Sequence, residues 1–152
     1  MKLSTKGRYG LRAMIDIGVH SKEVPLSLRS ISKRLDISES YLEQLISKLK
    51  KESLVISKRG AKGGYILGRN AAEITVGEIL RALEGSLGPT VCTCEDHGCT
   101  NCCGDTESKC VTKSVWIKIK DGINNVVDNI YLSELIEDFK KTGNANQIKV
   151  LM

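Results

Sequence analysis

The sequence predicts a mostly α fold carrying one small β-hairpin and one long C-terminal helix. Three observations support this. Apolar residues recur at helical spacing in four stretches before residue 85, two β-prone runs flank a single glycine-rich loop, and an apolar stripe resumes after residue 110. At 152 residues, with 41% hydrophobic and 27% charged residues, the chain suits one globular domain with an appendage. No stretch offers the roughly 20 consecutive apolar residues of a membrane span. The opening MKLSTKGRYGLRAMIDIG is too interrupted by charge for a secretory signal, so the expected location is the cytoplasm.

The elements follow in order. Leu11, Met14, Ile15, Gly18 and Val19 mark a first helix from about Ser4 to Ser21. After Pro25, Leu28, Ile31 and Leu35 repeat at i, i+3, i+7 behind Ser27, a good N-cap. Asp36-Ile37-Ser38 turns the chain, and Leu42, Leu45, Ile46 and Leu49 form the inner face of a third helix beginning near Ser38 or Ser40. Ser40 and Glu43 also have capping-box spacing. Two short helices joined by a tight turn describe a helix-turn-helix. Leu54-Val55-Ile56 and Tyr65-Ile66-Leu67 then flank SKRGAKGG, whose glycines supply the positive φ of a tight connection, and this hairpin reads as a wing. Thr75 caps a fourth helix to Glu84, with Val76, Ile79, Leu80 and Leu83 inward. Val115, Ile119, Ile123, Val126 and Ile130 line one side of a helix of roughly 20 residues, a seam that wants a partner. Leu132, Leu135, Ile136 and Phe139 make a short closing helix. The expected organisation is a winged helix-turn-helix domain over 1–84, a cysteine-rich loop over 85–110, a dimerisation helix with its closing helix over 111–139, and a flexible tail over 140–152.

Charge is divided unevenly. Residues 1–70 hold 15 Lys and Arg against 6 Asp and Glu, a net of +9, whereas residues 71–152 hold 8 against 12, a net of −4. A basic half joined to a helix-turn-helix points to a polyanion, because Lys and Arg displace the counterions condensed on nucleic acid. With its apolar side inward, the third helix leaves Ser40, Tyr41, Glu43, Gln44 and Lys48 outside. A carboxylate can accept from cytosine N4–H and an amide can pair with adenine, roles that suit Glu43 and Gln44. Lys48, Lys50 and Lys51 suit phosphates, and Arg59 and Lys62 on the wing suit a narrow minor groove. Gly60, Gly63 and Gly64 lack the spacing and following helix of a nucleotide-binding loop.

All six cysteines fall in one 19-residue window, Cys92, Cys94, Cys99, Cys102, Cys103 and Cys110, with His97 among them. Thiolates so dense repel one another unless protonated, oxidised or bound to a soft cation. Zinc and an iron–sulfur cluster both fit such ligands. A thiol redox enzyme using Cys99 with Cys102, or the adjacent Cys102 and Cys103, is the alternative outside DNA binding.

The stretches MKLSTKGRYGLRAM, ISESYLEQLISKLKKESLV, SKRGAKGGYIL, ITVGEILRALEG and CVTKSVW together resemble the IscR-type bacterial winged-helix regulators, a family that includes the CymR and NsrR types. The resemblance spans about residues 1–139. It implies a non-enzymatic, cytoplasmic homodimer on double-stranded promoter DNA, with long C-terminal helices crossing between subunits, and it places Ser40, Glu43, Gln44 and Arg59 at DNA-contact positions. It also implies a 2Fe-2S cluster in the loop before the long helix. Cys92 and Cys110 match the first and last ligand positions, and Cys103 is taken as the middle ligand over Cys99 and Cys102. Where the IscR type has a histidine as fourth ligand, this chain has Lys113. The implied role is control of genes for iron–sulfur assembly or for sulfur and cysteine metabolism, the alternative being an NsrR-type nitric-oxide-sensing repressor.

Overall fold

A computed structural model of the chain describes residues 4–21, 24–90, 93 and 111–142. Six α-helices and one hairpin are described: α1 (Thr5–His20), α2 (Leu28–Leu35), α3 (Glu39–Lys51), β1 (Val55–Lys58), β2 (Gly64–Leu67), α4 (Val76–Glu84), α5 (Lys113–Asp128) and α6 (Leu132–Thr142). A 3-10 turn at Ala71–Glu73, which carries no apolar periodicity, was not expected from the sequence.

Local signals set most boundaries. Ser4, Ser27 and Ser38 each accept a backbone N–H at the start of α1, α2 and α3. The cap of α3 is therefore Ser38, and Ser40 and Glu43 form no capping box. At α4 the box does form: Thr75 Oγ1 accepts from Glu78 N, and Glu78 Oε2 accepts from Thr75 N at 2.9 Å. Between α2 and α3, Asp36 adopts φ 55° and ψ 47°, a left-handed conformation that Asp tolerates better than most residues, and Ile37 N donates to Ser32 O at 3.1 Å. That residue reverses the chain between the two helices.

Helix α1 is the centre of the core. Ala13, Met14 and Ile17 are fully buried against a cluster that includes Ile31, Leu42, Leu45, Ile46, Leu49, Ile74, Ile79, Leu83, Leu132 and Ile136. Gly10 lets α1 and α4 approach closely, since a methyl there would run into the Leu83 side chain. A buried ion pair ties α1 to α2. Arg34 Nε and Nη2 donate to the two Asp16 carboxylate oxygens, each at 2.8 Å, and Asp16 is 4% exposed. Charge-assisted hydrogen bonding to Asp16 raises the Arg34 pKa further, outweighing desolvation.

The hairpin pairs β1 with β2 antiparallel, Val55 opposite Leu67 and Lys58 opposite Gly64. Its base is clamped by a bridge to the segment before α2, with Leu26 N donating to Tyr65 O at 3.0 Å and Tyr65 N to Leu26 O at 2.8 Å.

Helix α5 covers 16 residues, shorter than the roughly 20 expected, and ends before Ile130, whose carbonyl accepts from Val76 N at 2.9 Å. The expected one-sided seam is split. Ile123, Val127 and Ile130 pack against this chain's own Val76, Leu80 and Leu87. Val115, Ile119 and Val126 remain 50%, 39% and 58% exposed, and a methyl added to Gly122 would meet open space. Positions 115, 119, 122 and 126 follow a 4, 3, 4 spacing, an exposed heptad seam. Helix α6 returns to α1 through Leu132 and Ile136 and runs to Thr142, past the boundary at 139 that the apolar pattern suggested.

Candidate nucleic-acid interface

Helix α3 and the wing border one groove. Its lining is Glu43, Ile46, Ser47, Lys50 and Lys51 from α3 and Tyr65 from β2, around a volume of about 390 Å³. Lys50 Nζ donates to Ser57 Oγ at 3.1 Å, which fastens α3 to β1. Because Leu42, Leu45, Ile46 and Leu49 occupy the core, Ser40, Glu43, Gln44, Ser47 and Lys51 stand on the exposed face. Arg59 and Lys62 are exposed on the wing tip, where Gly60 at φ 114° and the Gly63 N to Gly60 O hydrogen bond of 2.9 Å make the turn. A carboxylate, an amide and a hydroxyl thus face solvent beside cations, the side-chain set needed to contact base edges and phosphates.

Two of the expected outward residues point elsewhere. Tyr41 is half-buried, its ring edge-on to Tyr9 with centroids 6.0 Å apart, and its hydroxyl is buried with no hydrogen-bond partner. Desolvation, reinforced by Tyr9 and Glu84, raises its phenol above the ordinary tyrosine value. Lys48 is also half-buried, and its ammonium donates to Leu83 O at 2.8 Å. Leu83 is the penultimate residue of α4, so Lys48 satisfies one of the carbonyls that a helix end leaves without an internal partner.

The last turn of α4 makes two more contacts that the apolar pattern did not reveal. Glu84 Oε1 accepts from Ser4 N (3.1 Å), Ser4 Oγ (2.6 Å) and Gly7 N (2.8 Å), capping α1 from a distance. Arg81 donates to Asn124 Oδ1 at 3.1 Å and to Asp128 Oδ1, binding α4 to α5. One sequence signal for Glu84 existed: a carboxylate at a helix C-terminus opposes the dipole, so its position suggests use elsewhere.

Cys92, Cys94, Cys99, Cys102, Cys103 and Cys110, with His97, lie outside the described residues. Among the described residues no group of three or more His, Cys, Asp or Glu could hold a metal ion. The two edges of the window are placed. Leu87 is buried against α4 and α5, and Thr93, between Cys92 and Cys94, donates from N and Oγ1 to Thr90 O at 3.1 and 2.8 Å. At the far edge, Thr112 and Lys113 open α5.

The architecture has close counterparts. Residues 3–138 match the Rrf2 family, described as an iron-dependent transcriptional regulator. The chain belongs to the Rrf2 family. The HTH-type transcriptional regulator IscR of Pectobacterium atrosepticum is 44% identical over 138 residues, covering 91% of this chain and 80% of that protein. The regulator of the same name from Vibrio atlanticus is also 44% identical over 138 residues, covering 91% and 76%. Among solved structures, T. potens IscR aligns with TM-score 0.73 at 44% identity, covering 95% of this chain and 92% of that one. CymR (YrzC), the global cysteine regulator of B. subtilis, aligns with TM-score 0.71 at 41% identity, covering 90% and 97%. The chain is an IscR-type Rrf2 transcriptional regulator with a winged-helix fold, and its relatives are regulators rather than enzymes. No described helix is long and apolar enough to cross a membrane.

Proposed function

We propose that this Rrf2 regulator acts as a homodimer that reads promoter DNA with α3 and the wing and takes its signal from a 2Fe-2S cluster held in the cysteine window. The observation that carries the DNA reading is the shared groove: Ser40, Glu43 and Gln44 are exposed on the helix that borders it, and Arg59 and Lys62 extend from the adjoining wing. Ser40, Glu43 and Gln44 would contact base edges in the major groove, Lys51 a phosphate, and Arg59 and Lys62 the adjacent minor groove. Tyr41 and Lys48 would act from behind this surface, holding α3 against α1 and α4. The exposed seam of Val115, Ile119, Gly122 and Val126 supports the dimer, since a two-fold contact would cover it and set two reading heads for a pseudo-palindromic site.

The donor set fits the cluster. Six thiols in one short window, with no competing ligand group among the described residues, provide the soft ligands such a group requires. Cys92, Cys103 and Cys110 would hold it. The fourth ligand would come from the surplus cysteines, from His97 or from the partner chain, because an ammonium such as that of Lys113 must lose its proton before it can coordinate. When bound, the cluster would supply a redox- and iron-responsive cross-link among Cys92, Cys103 and Cys110, in the stretch of chain that joins α4 to α5. The genes under such control would be those of iron–sulfur assembly or of sulfur and cysteine metabolism.

Selection of duplexes from a random pool, followed by binding titrations, tests the reading head. Glu43→Ala is expected to relax preference at one base pair by about 1–3 kcal/mol in discrimination. Loss of affinity that is uniform across sequences would refute the base-reading role. Anaerobic purification with a visible spectrum and iron, sulfide and zinc analysis tests the cluster. A colourless protein holding stoichiometric zinc would overturn it.

A further inference from the structure

The last turn of α4 meets three other helices. Arg81 reaches α5, the Leu83 carbonyl receives Lys48 from α3, and Glu84 caps α1. The chain then leaves α4 through Gly85 at φ 83° and enters the cysteine window past Leu87, which is packed against Val76, Leu80 and Ile123. Residues 85–90 thus continue directly from the carbonyls that end α4. Lys48 makes a polar link from those carbonyls to the reading helix, one turn beyond Gln44. A half-buried ammonium on an otherwise orphaned carbonyl has a directional requirement that apolar contacts between α3 and α4 lack, so it transmits a small shift of one helix end to the other.

We propose that Lys48 is a positioning residue that couples the state of the cysteine window to the orientation of the reading helix, through its hydrogen bond to Leu83 O. This rests on the cluster-responsive reading given above. Lys48 bears on DNA through α3 and not through a phosphate. Its removal should therefore collapse the difference between loaded and stripped protein, whatever it does to the affinity the two share.

The experiment compares wild type, Lys48→Met and Lys48→Arg in the full chain. Each is reconstituted anaerobically with ferrous iron and sulfide or stripped with a chelator, then titrated by fluorescence anisotropy against a duplex selected by the wild type. Ordinary couplings between sites change affinity by roughly 5- to 150-fold, and Lys48→Met should bring the loaded-to-stripped ratio to within about 3-fold of unity. Lys48→Arg, which keeps a donor, should retain most of the ratio. Amide exchange in the wild type supplies a readout independent of the variants: loading should alter protection in α3 between Gln44 and Lys51. A wild-type ratio that persists in Lys48→Met overturns the coupling role and leaves the cluster reading intact. Equal weakening of loaded and stripped protein, with a shallower salt dependence, would make Lys48 a phosphate contact and also overturns it. A wild type that responds to loading neither in binding nor in α3 exchange refutes both proposals.

Discussion

Ile119 gives a quantitative test of how the exposed seam on α5 is covered. Full burial of an isoleucine side chain is worth about 1.5–3 kcal/mol. With 39% of Ile119 still exposed, its share is about 0.6–1.2 kcal/mol per chain. In the proposed two-fold dimer the contact counts twice, so Ile119→Ala should weaken dimerisation by about 1–2.5 kcal/mol, roughly 5- to 60-fold in Kd. Ile119→Glu should go further, because each chain would then bring a carboxylate into the apolar contact. Ile117 supplies the control: it is 41% exposed but lies on the opposite side of the helix, so Ile117→Ala removes similar apolar area away from the seam. Sedimentation equilibrium reads the monomer–dimer constant directly. If Ile119→Ala and Ile117→Ala had equal effects, or if Ile119→Glu remained a dimer as tight as the wild type, the seam would be misassigned.

Two further outcomes concern the frame that holds the reading helix. Arg34→Met strands the Asp16 carboxylate, which is 4% exposed, and should cost about 2–4 kcal/mol in urea unfolding at neutral pH, a value reduced from the fully buried case because Arg34 is itself 31% exposed. A loss below about 0.5 kcal/mol at pH 7 would mean water or His20 replaces the guanidinium. Burial pushes the Glu78 pKa up, but hydrogen bonds from Thr75 N and Arg69 outweigh it and leave the carboxyl below its ordinary value. Its contribution is therefore complete above the unfolded glutamate value of about 4.3 and is lost as the pH falls through the lower folded value. Glu78→Ala should cost about 1 kcal/mol at pH 7, and thermal melts at decreasing pH should show wild type and variant converging. A gap independent of pH would remove ionised Glu78 from the explanation.

Much of the fold could be read from the residues in sequence. The apolar spacing of α1 to α4, the caps at Ser27 and Thr75 and the glycine-rich hairpin are local signals, and local signals survive tertiary packing. The choice of Ser38 over Ser40 as cap depended on where Asp36 turns the chain, which one left-handed residue decides. The seam on α5 was visible as a single stripe, but periodicity does not distinguish a side chain covered by its own α4 from one left for another chain, so Ile123 and Val126 looked alike. Ser40, Glu43, Gln44, Arg59 and Lys62 occupy exposed positions, as the pattern suggested. Lys48 and Tyr41 do not: the Lys48 stem is half-buried and its ammonium turns back to the Leu83 carbonyl, while the Tyr41 ring packs edge-on against Tyr9 with its hydroxyl buried, contacts between residues remote in sequence.

The bridge between Leu26 and Tyr65 limits what can change at the wing. Two backbone hydrogen bonds fix the root of the hairpin to the chain entering α2, whereas the Arg59–Lys62 tip projects beyond them with exposed side chains. Lengthening or recharging the tip should therefore alter grip on the flanking minor groove while the helix-turn-helix keeps its footing. If the proposed reading of DNA holds, preference at the periphery would drift independently of the central base pairs, a division of labour enforced by main-chain geometry and indifferent to side-chain identity.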